Sequence, residues 1–254
     1  MSANHAAFNL IFRFVENYIS PVAGRISSQR HVMAIRDGFI SAMPFMIVGS
    51  FLLVFAYPPF SPDTTWGFAR AWLDLAKEFE GRILTPFDMT MGIMSIYICA
   101  AISYNLGKHY EKTHQLDPFM RSMLSIMAFL LVAAPKTNGT LPVDSLGGTG
   151  IFTAILVAVY CVEMMRFLKA HNIGIRLPDQ VPPMIKNSFD LLIPVLVVVL
   201  TLYPLSLFIQ SQFDMLIPQA IMSVFKPLVS AADSLPAILL AVLIGHLLWF
   251  AGIH

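Results

Sequence analysis

The residues with the clearest chemical potential lie near the end of the chain, where an apolar segment carries histidine and tryptophan. A histidine in such a segment is a functional candidate, because an ionisable group inside a membrane is costly. Tryptophan faces pack against the C–H faces of sugars, and a neutral imidazole exchanges hydrogen bonds with hydroxyl groups. We therefore take Trp249, Gly252 and His254 as candidate sugar-binding residues. For His246 we favour a hydrogen bond to a neighbouring carbonyl over a ligand contact.

The apolar segment 237–254 is long enough to begin crossing a bilayer. A membrane helix normally ends in basic or aromatic anchors, and no Lys or Arg follows this one. We therefore expect that the sequence stops at His254 in the middle of a functional segment.

The composition indicates a membrane protein. Hydrophobic residues make up 57% of the chain and charged residues 12%, whereas a soluble domain has about 25% charged residues. The polar residues are too few to cover a water-exposed surface, so lipid must cover much of it. A net charge of +1 gives no reason to expect nucleic acid. Cys99 and Cys161 lie in apolar runs without a CxxC motif, which favours packing thiols.

The sequence gives no evidence for a cofactor or a resident metal. His109 and His114 are five residues apart, which does not fit the i, i+4 spacing of a helical metal site. No P-loop or GxGxxG motif is present, so ATP-driven transport is disfavoured.

Hydropathy predicts an all-α, polytopic membrane helix bundle with about five full spans, a sixth segment and amphipathic interfacial helices. Small residues and prolines within the spans favour close helix packing. The tryptophans of the polar stretch 60–85 are expected to be headgroup anchors. The five predicted spans cover approximately residues 37–57, 87–106, 119–134, 151–167 and 189–209.

Two acids near the predicted span edges have structural interpretations that compete with functional ones. Asp88 is placed to cap the start of the second span, although an acid there also suits a transport pathway. Glu163 lies three residues before Arg166, a spacing that favours a local ion pair.

The distribution of Lys and Arg predicts the orientation of the chain in the membrane. Eleven of the 16 basic residues fall in the N-terminal segment and in every second loop, and five fall in the other loops. Basic residues mark the cytoplasmic side. The N-terminus and the segments 107–121 and 166–188 are therefore predicted to be cytoplasmic.

Several of these segments together resemble one family. Trp249-Phe-Ala-Gly-Ile-His254 resembles the Trp-Phe-x-Gly-Ile-His signature of enzyme IIC, the membrane component of the lactose/cellobiose/diacetylchitobiose class of the bacterial phosphotransferase system. Three further segments resemble its first span, its second span and the crossover before its fifth span. They are Arg36-Asp-Gly-Phe, Gly92-Ile-Met-Ser-Ile-Tyr and Leu177-Pro-Asp-Gln-Val-Pro-Pro.

The resemblance implies a permease that takes up a β-linked disaccharide, with N,N'-diacetylchitobiose as the first choice. A phosphocysteine on a partner enzyme IIB would phosphorylate the sugar at the cytoplasmic face. The residue that matches His254 contacts the sugar, and a glutamate further along would be the base, so no catalytic residue is assigned here. The protein would be a homodimer in the bacterial cytoplasmic (inner) membrane.

The resemblance also implies three regions. Residues 1–35 would be a cytoplasmic amphipathic segment, 36–210 a five-span interface domain for dimerisation, and 211–254 the incomplete start of the sugar-binding domain. Such a fragment would dimerise without transporting or phosphorylating sugar on its own.

Two other classes of protein remain as alternatives. An ion-coupled secondary transporter would need acids in mid-span, and the acids near the spans lie at their edges (Asp37, Asp88, Glu163 and Asp190). A purely structural membrane scaffold would leave Trp249 and His254 without a role.

Overall fold

The computed structural model describes residues 13, 16–17, 20–114, 117–135, 139–175, 178, 180–232 and 234–250. By contacts the chain divides into two compact units. The larger is Ala34–Met222, and the smaller comprises the described parts of Met1–Met33 and Ser223–His254. All side-chain contacts discussed below lie within one unit.

The described residues are organised as helices, in agreement with the predicted all-α class. A 3₁₀ helix, Gly148–Gly150, precedes one of them. From Ser20 onward the described part contains ten α-helices: α1 Ser20–Ser27, α2 Arg30–Ala56, α3 Gly67–Asp88, α4 Met94–His114, α5 Pro118–Ala133, α6 Ile151–Ala170, α7 Pro183–Asp190, α8 Leu192–Phe213, α9 Ile217–Ala232 and α10 Leu235–Phe250.

The core of the larger unit is a bundle of α4, α5 and α6, with α8 packed against α5 and α6. Large buried side chains such as Ile98 and Phe129 alternate with small ones such as Ala158. Small residues let helix backbones approach closely, as is typical of membrane bundles. Cys99 and Cys161 are free thiols buried in this core, as predicted.

Helix α2 crosses the bundle at two glycines three turns apart. A Cβ atom on Gly38 would lie 2.3 Å from Ile102 Cγ1 in α4, and one on Gly49 would lie 2.6 Å from Met91 Cγ. Neither position has room for a side chain. The two glycines therefore set the distance at which α2 passes the bundle.

The predicted second span is wrong at its start. It was expected to run from Phe87, but α3 ends at Asp88 and α4 begins at Met94. The intervening turn is tight: Gly92 N donates to Phe87 O at 3.1 Å, and a Cβ atom on Gly92 would lie 2.5 Å from Asp88 O. Asp88 therefore ends a helix and does not cap the start of α4.

Three helical segments of the described chain are long and apolar enough to span a membrane: Arg30–Ala56, Gly148–Ala170 and Ser188–Phe213. A sharply bent pair, Ile217–Ala232 with Leu235–Leu243, would make a fourth. Helix α5 is apolar but only 16 residues long, and α4 carries polar residues such as Asn105 and Lys108 in its second half. These two predicted spans are thus weaker by length and composition than the others.

Candidate functional site

The predicted sugar-binding residues lie at the end of the chain, where the structure describes only the backbone of Trp249. Trp249 belongs to α10, but its side chain, like Gly252 and His254, lies outside the described residues. His246 Nδ1 is 2.8 Å from Val242 O, one turn earlier on the same helix. This is the neighbouring-carbonyl contact that the sequence favoured for His246. The assignment of Trp249, Gly252 and His254 stays a prediction.

A polar cluster lies at one end of the core bundle, and sequence reasoning missed its central residue. Arg121 is completely buried, and its Nη1 donates to Gly107 O in α4 at 2.6 Å. The sequence had placed it in a cytoplasmic loop. Asp117 accepts from Phe119 N at 2.8 Å, with Pro118 in the first turn, so α5 starts early enough to enclose Arg121.

The same cluster joins α4 to α6 through Tyr110 and Glu163. Tyr110 Oη donates to Glu163 Oε1 at 2.5 Å. Arg166 Nε lies 2.6 Å from Glu163 Oε2, which confirms the predicted i, i+3 ion pair. The guanidinium carbons of Arg166 and Arg121 are 5.1 and 6.0 Å from the centroid of the Tyr110 ring. Both carboxylate oxygens are thus engaged, so Glu163 is better placed to hold α4 and α6 together than to accept a substrate proton.

The opposite end of the bundle is closed by backbone contacts. Ser95, in the first turn of α4, donates from its amide to Leu146 O at 2.9 Å and from its hydroxyl to Gly147 O at 2.6 Å. A Cβ atom on Gly147 would lie 3.1 Å from Gly92 O. Irregular backbone near a membrane needs such internal partners. This end therefore contains a loop that is fastened to the start of α4 through the carbonyls of Leu146 and Gly147.

An aromatic cluster lies where α3 meets the end of α2. Trp72 Nε1 donates to Phe55 O at 3.1 Å, and the rings of Phe60, Phe68 and Trp66 lie near it. An apolar groove of about 340 Å³ runs beside this cluster. The role of these tryptophans as headgroup anchors stays a prediction.

A tyrosine just beyond the end of α2 links it to α3. Tyr57 Oη donates to Glu80 Oε1 at 2.9 Å. The hydrogen bond to this carboxylate, together with its negative charge, raises the pKa of the Tyr57 phenol.

The last turn of α6 is tied to α7 by an ion pair between Lys169 and Asp190, with Nζ and Oδ2 at 2.5 Å. The pair holds together the two helices that flank the segment from His171 to Pro182. Among the described residues, no group of three or more His, Cys, Asp or Glu side chains is placed to hold a metal ion.

The basic residues of the larger unit gather at one end. The contacts of Gly38 with Ile102 and of Gly49 with Met91 show that α2 starts at the end of the bundle that holds the polar cluster. Helix α3, at the other end, carries three described basic residues: Arg70, Lys77 and Arg82. The polar-cluster end holds six: Arg36, Lys108, Arg121, Arg166, Lys169 and Lys186.

These features define a multi-pass helical membrane protein with a packed helical core. A family model, "Phosphotransferase system, EIIC", matches residues 36–254. The chain belongs to this family, as its sequence motifs indicated.

Individual relatives are consistent with this family membership. The cellobiose-specific EIIC component of Geobacillus stearothermophilus is 32% identical over 95% of this chain, and a lactose-specific EIICB component of Streptococcus mutans is 33% identical over 92%. The crystal structure of ChbC, the IIC component of an N,N'-diacetylchitobiose-specific phosphotransferase system, matches 95% of the chain with a TM-score of 0.80 and 32% identity.

The chain spans about half the length of these proteins. It covers 55% of the Geobacillus protein, 40% of the Streptococcus protein and 57% of the ChbC chain.

Proposed function

We propose that this chain is part of a sugar permease of the phosphoenolpyruvate-dependent phosphotransferase system. The family match across residues 36–254 is the observation that carries the proposal. The likeness to ChbC supports it, because at 32% identity it extends over nearly the whole chain and not over a single motif.

The proposed substrate is a β-linked disaccharide, with N,N'-diacetylchitobiose as the first choice. The names of the relatives support this class, since they specify cellobiose, lactose and diacetylchitobiose. The sugar is proposed to contact Trp249, Gly252 and His254. An aromatic face beside a hydrogen-bonding imidazole suits a sugar ring in a site sheltered from water.

The proposed partner is a phosphorylated enzyme IIB. The lactose-specific relatives are named EIICB components, which supports such a pairing. In the transfer, the bond from phosphorus to the IIB cysteine sulfur breaks and a bond from phosphorus to a sugar hydroxyl oxygen forms. The hydroxyl proton passes to a base, which makes the oxygen a better nucleophile.

The proposed location is the bacterial cytoplasmic membrane, with the N-terminus and the polar-cluster end in the cytoplasm. The six basic residues at this end, against three in α3, support the orientation. Residues 36–210 are proposed to form a dimerisation domain that follows a cytoplasmic segment, 1–35. Residues 211–254 are proposed to begin the sugar-binding part. Large apolar side chains exposed along α2, such as Met43 and Phe51, suit a surface covered by lipid or a second copy.

The energy source of uptake tests this function. Membrane vesicles carrying the gene product that contains this sequence are loaded with the soluble phosphotransferase components and given labelled diacetylchitobiose. We expect uptake that requires phosphoenolpyruvate inside the vesicles and persists when an ionophore collapses the ion gradients. Uptake that follows the ion gradient and ignores phosphoenolpyruvate would instead identify a secondary transporter.

A further inference from the structure

The end of α6 presents apolar side chains that nothing in the described chain covers. Phe167, Ile173 and Ile175 are exposed, and the His171 ring lies over Phe167 with 4.1 Å between ring centroids. We call these four residues the α6 platform. Ile173 and Ile175 lie beyond the last residue of α6, in chain that is not helical.

The platform is held in a defined conformation. Ile173 N donates to Leu168 O at 2.8 Å and Asn172 N to Lys169 O at 3.0 Å. With Asn172 at φ 56°, these two bonds form a Schellman motif, which stops a helix and fixes the direction of the chain after it. His171 Nδ1 is also 2.9 Å from Phe167 O. A surface ordered before binding loses less conformational entropy when a partner docks.

Lipid is a poor cover for this surface. Non-helical backbone does not face hydrocarbon, because its polar groups would lack partners there. Ile173 and Ile175 are therefore expected outside the hydrocarbon layer, where exposed apolar patches rimmed by polar residues mark protein interaction sites. The exposed apolar residues of α2 differ, because they lie within a helix long enough to span a membrane.

Two basic side chains, Arg166 and Lys169, lie at the rim of the platform, in the last turns of α6 beside Phe167. Arg166 and Lys169 each pair with an acid, yet the acids are the more buried partners. The side chain of Arg166 is 43% exposed and that of Glu163 24%, while Lys169 is 32% exposed and Asp190 23%. In each pair the basic side chain is thus the more accessible one to a partner. A phosphorylated protein carries about −1.5 to −2 on its phosphoryl group at pH 7, which suits this rim.

We propose that the α6 platform, with Arg166 and Lys169 at its rim, is a docking surface for the phosphorylated IIB component. The proposal rests on the proposed function and on the proposed cytoplasmic position of this end. Phe167, Ile173 and Ile175 supply apolar contact, and the two basic side chains orient the phosphoryl-carrying face.

The test uses the complete gene product in membrane vesicles and purified, phosphorylated IIB at increasing concentration. The variant Ile173→Glu/Ile175→Glu replaces apolar contact with negative charge. We expect it to raise the apparent KM for phosphorylated IIB by about tenfold, which corresponds to a loss of about 1.4 kcal/mol. The kcat at saturating phosphorylated IIB is expected to stay at the wild-type value. The dissociation constant for the disaccharide, which is measured without IIB, is also expected to stay unchanged.

The control variant is Leu141→Glu/Val143→Glu, which places the same charges on exposed loop residues at the other end of the bundle. It is expected to leave the KM for IIB and sugar binding unchanged. Ile173→Ser/Ile175→Ser removes apolar contact without adding charge, and we expect it to raise the KM by about threefold. The serine variant tests the proposal if the glutamate variant binds no sugar and so fails to fold.

An unchanged KM for phosphorylated IIB in the glutamate and serine variants would overturn the proposal. An equal loss of sugar affinity in the serine variant would also overturn it, because the platform would then pack against the sugar site. Absence of sugar phosphorylation by the wild-type protein would refute the proposed function itself, and is a separate result.

Discussion

Gly38 decides how closely α2 approaches α4. A Cβ atom there would lie 2.3 Å from Ile102 Cγ1 and 2.9 Å from Ile102 N. A side chain at this position would therefore displace both the side chain and the backbone of Ile102. Gly81 in α3 has no such contact, because a Cβ atom there would meet no heavy atom within 4 Å beyond its chain neighbours and the nearby backbone of its own helix. The two glycines therefore form a matched pair for substitution.

Gly38→Ala is expected to destabilise the protein by about 1–3 kcal/mol, the usual cost of overpacking. Gly81→Ala is expected to be neutral or slightly stabilising, because alanine favours a helix. Thermal unfolding of the purified protein in detergent measures both. A Gly38→Ala protein as stable as the wild type would show that α2 does not pack on α4 as described.

Tyr110 holds the polar cluster together through its hydroxyl group. Tyr110→Phe removes the bond to Glu163 and keeps the ring near the two guanidinium groups, so we expect a loss of about 1.5–3 kcal/mol, typical of a hydrogen bond to a charged group. Tyr104→Phe is the control, because the Tyr104 hydroxyl makes no hydrogen bond in the described part of the chain. Equal stability of the two variants would contradict the described Tyr110–Glu163 bond.

The pKa of the Tyr57 phenol is predicted to lie above its ordinary value, because its hydroxyl donates to the Glu80 carboxylate. Glu80→Gln should lower the pKa of Tyr57 toward the ordinary value. Ultraviolet difference titration of each protein against its Tyr57→Phe counterpart isolates this group. A raised pKa means that the link stabilises the fold below the ordinary tyrosine pKa, and that this contribution is lost as pH rises through the raised value. An unchanged pKa in the Gln variant would disprove the link.

The ion pair between Lys169 and Asp190 fastens α7 to the end of α6. Reversing either charge alone should loosen the segment between these helices, and the exchange Lys169→Asp/Asp190→Lys should restore it. We expect a coupling of about 0.5–3 kcal/mol. The rate of proteolysis between residues 171 and 182 reports the loosening. The pair would have no role if the single and exchanged variants were cleaved equally.

Local sequence patterns predicted those features that depend on neighbours along one helix. The i, i+3 spacing of Glu163 and Arg166 was sufficient to predict their ion pair. The role of Asp88 was predicted wrongly because the turn between α3 and α4 depends on Gly92. Glycine is also common within membrane helices, so its presence did not indicate a turn. The burial of Arg121 was missed because its partner, Gly107 O, comes from another helix.

The fold class and the family could be predicted from the sequence. The composition indicates a lipid environment, and motifs spread over the chain identify the family. The family model then confirmed the membership over residues 36–254. The predicted sugar site stays a prediction, since two of its three residues lie outside the described part and the third is described only in its backbone. A sugar pocket also depends on contacts between segments, which spacing along the chain does not reveal.

The whole molecule is proposed to couple sugar entry to phosphorylation, and the chemical form of the sugar inside vesicles tests this most directly. Vesicles carrying the gene product, phosphoenolpyruvate and the soluble components are supplied with labelled diacetylchitobiose, and the internal sugar is analysed by mass spectrometry. The account predicts that the sugar inside is the phosphorylated disaccharide, and that vesicles lacking IIB accumulate none. Accumulation of free disaccharide against its gradient, with no phosphorylated product, would contradict the account.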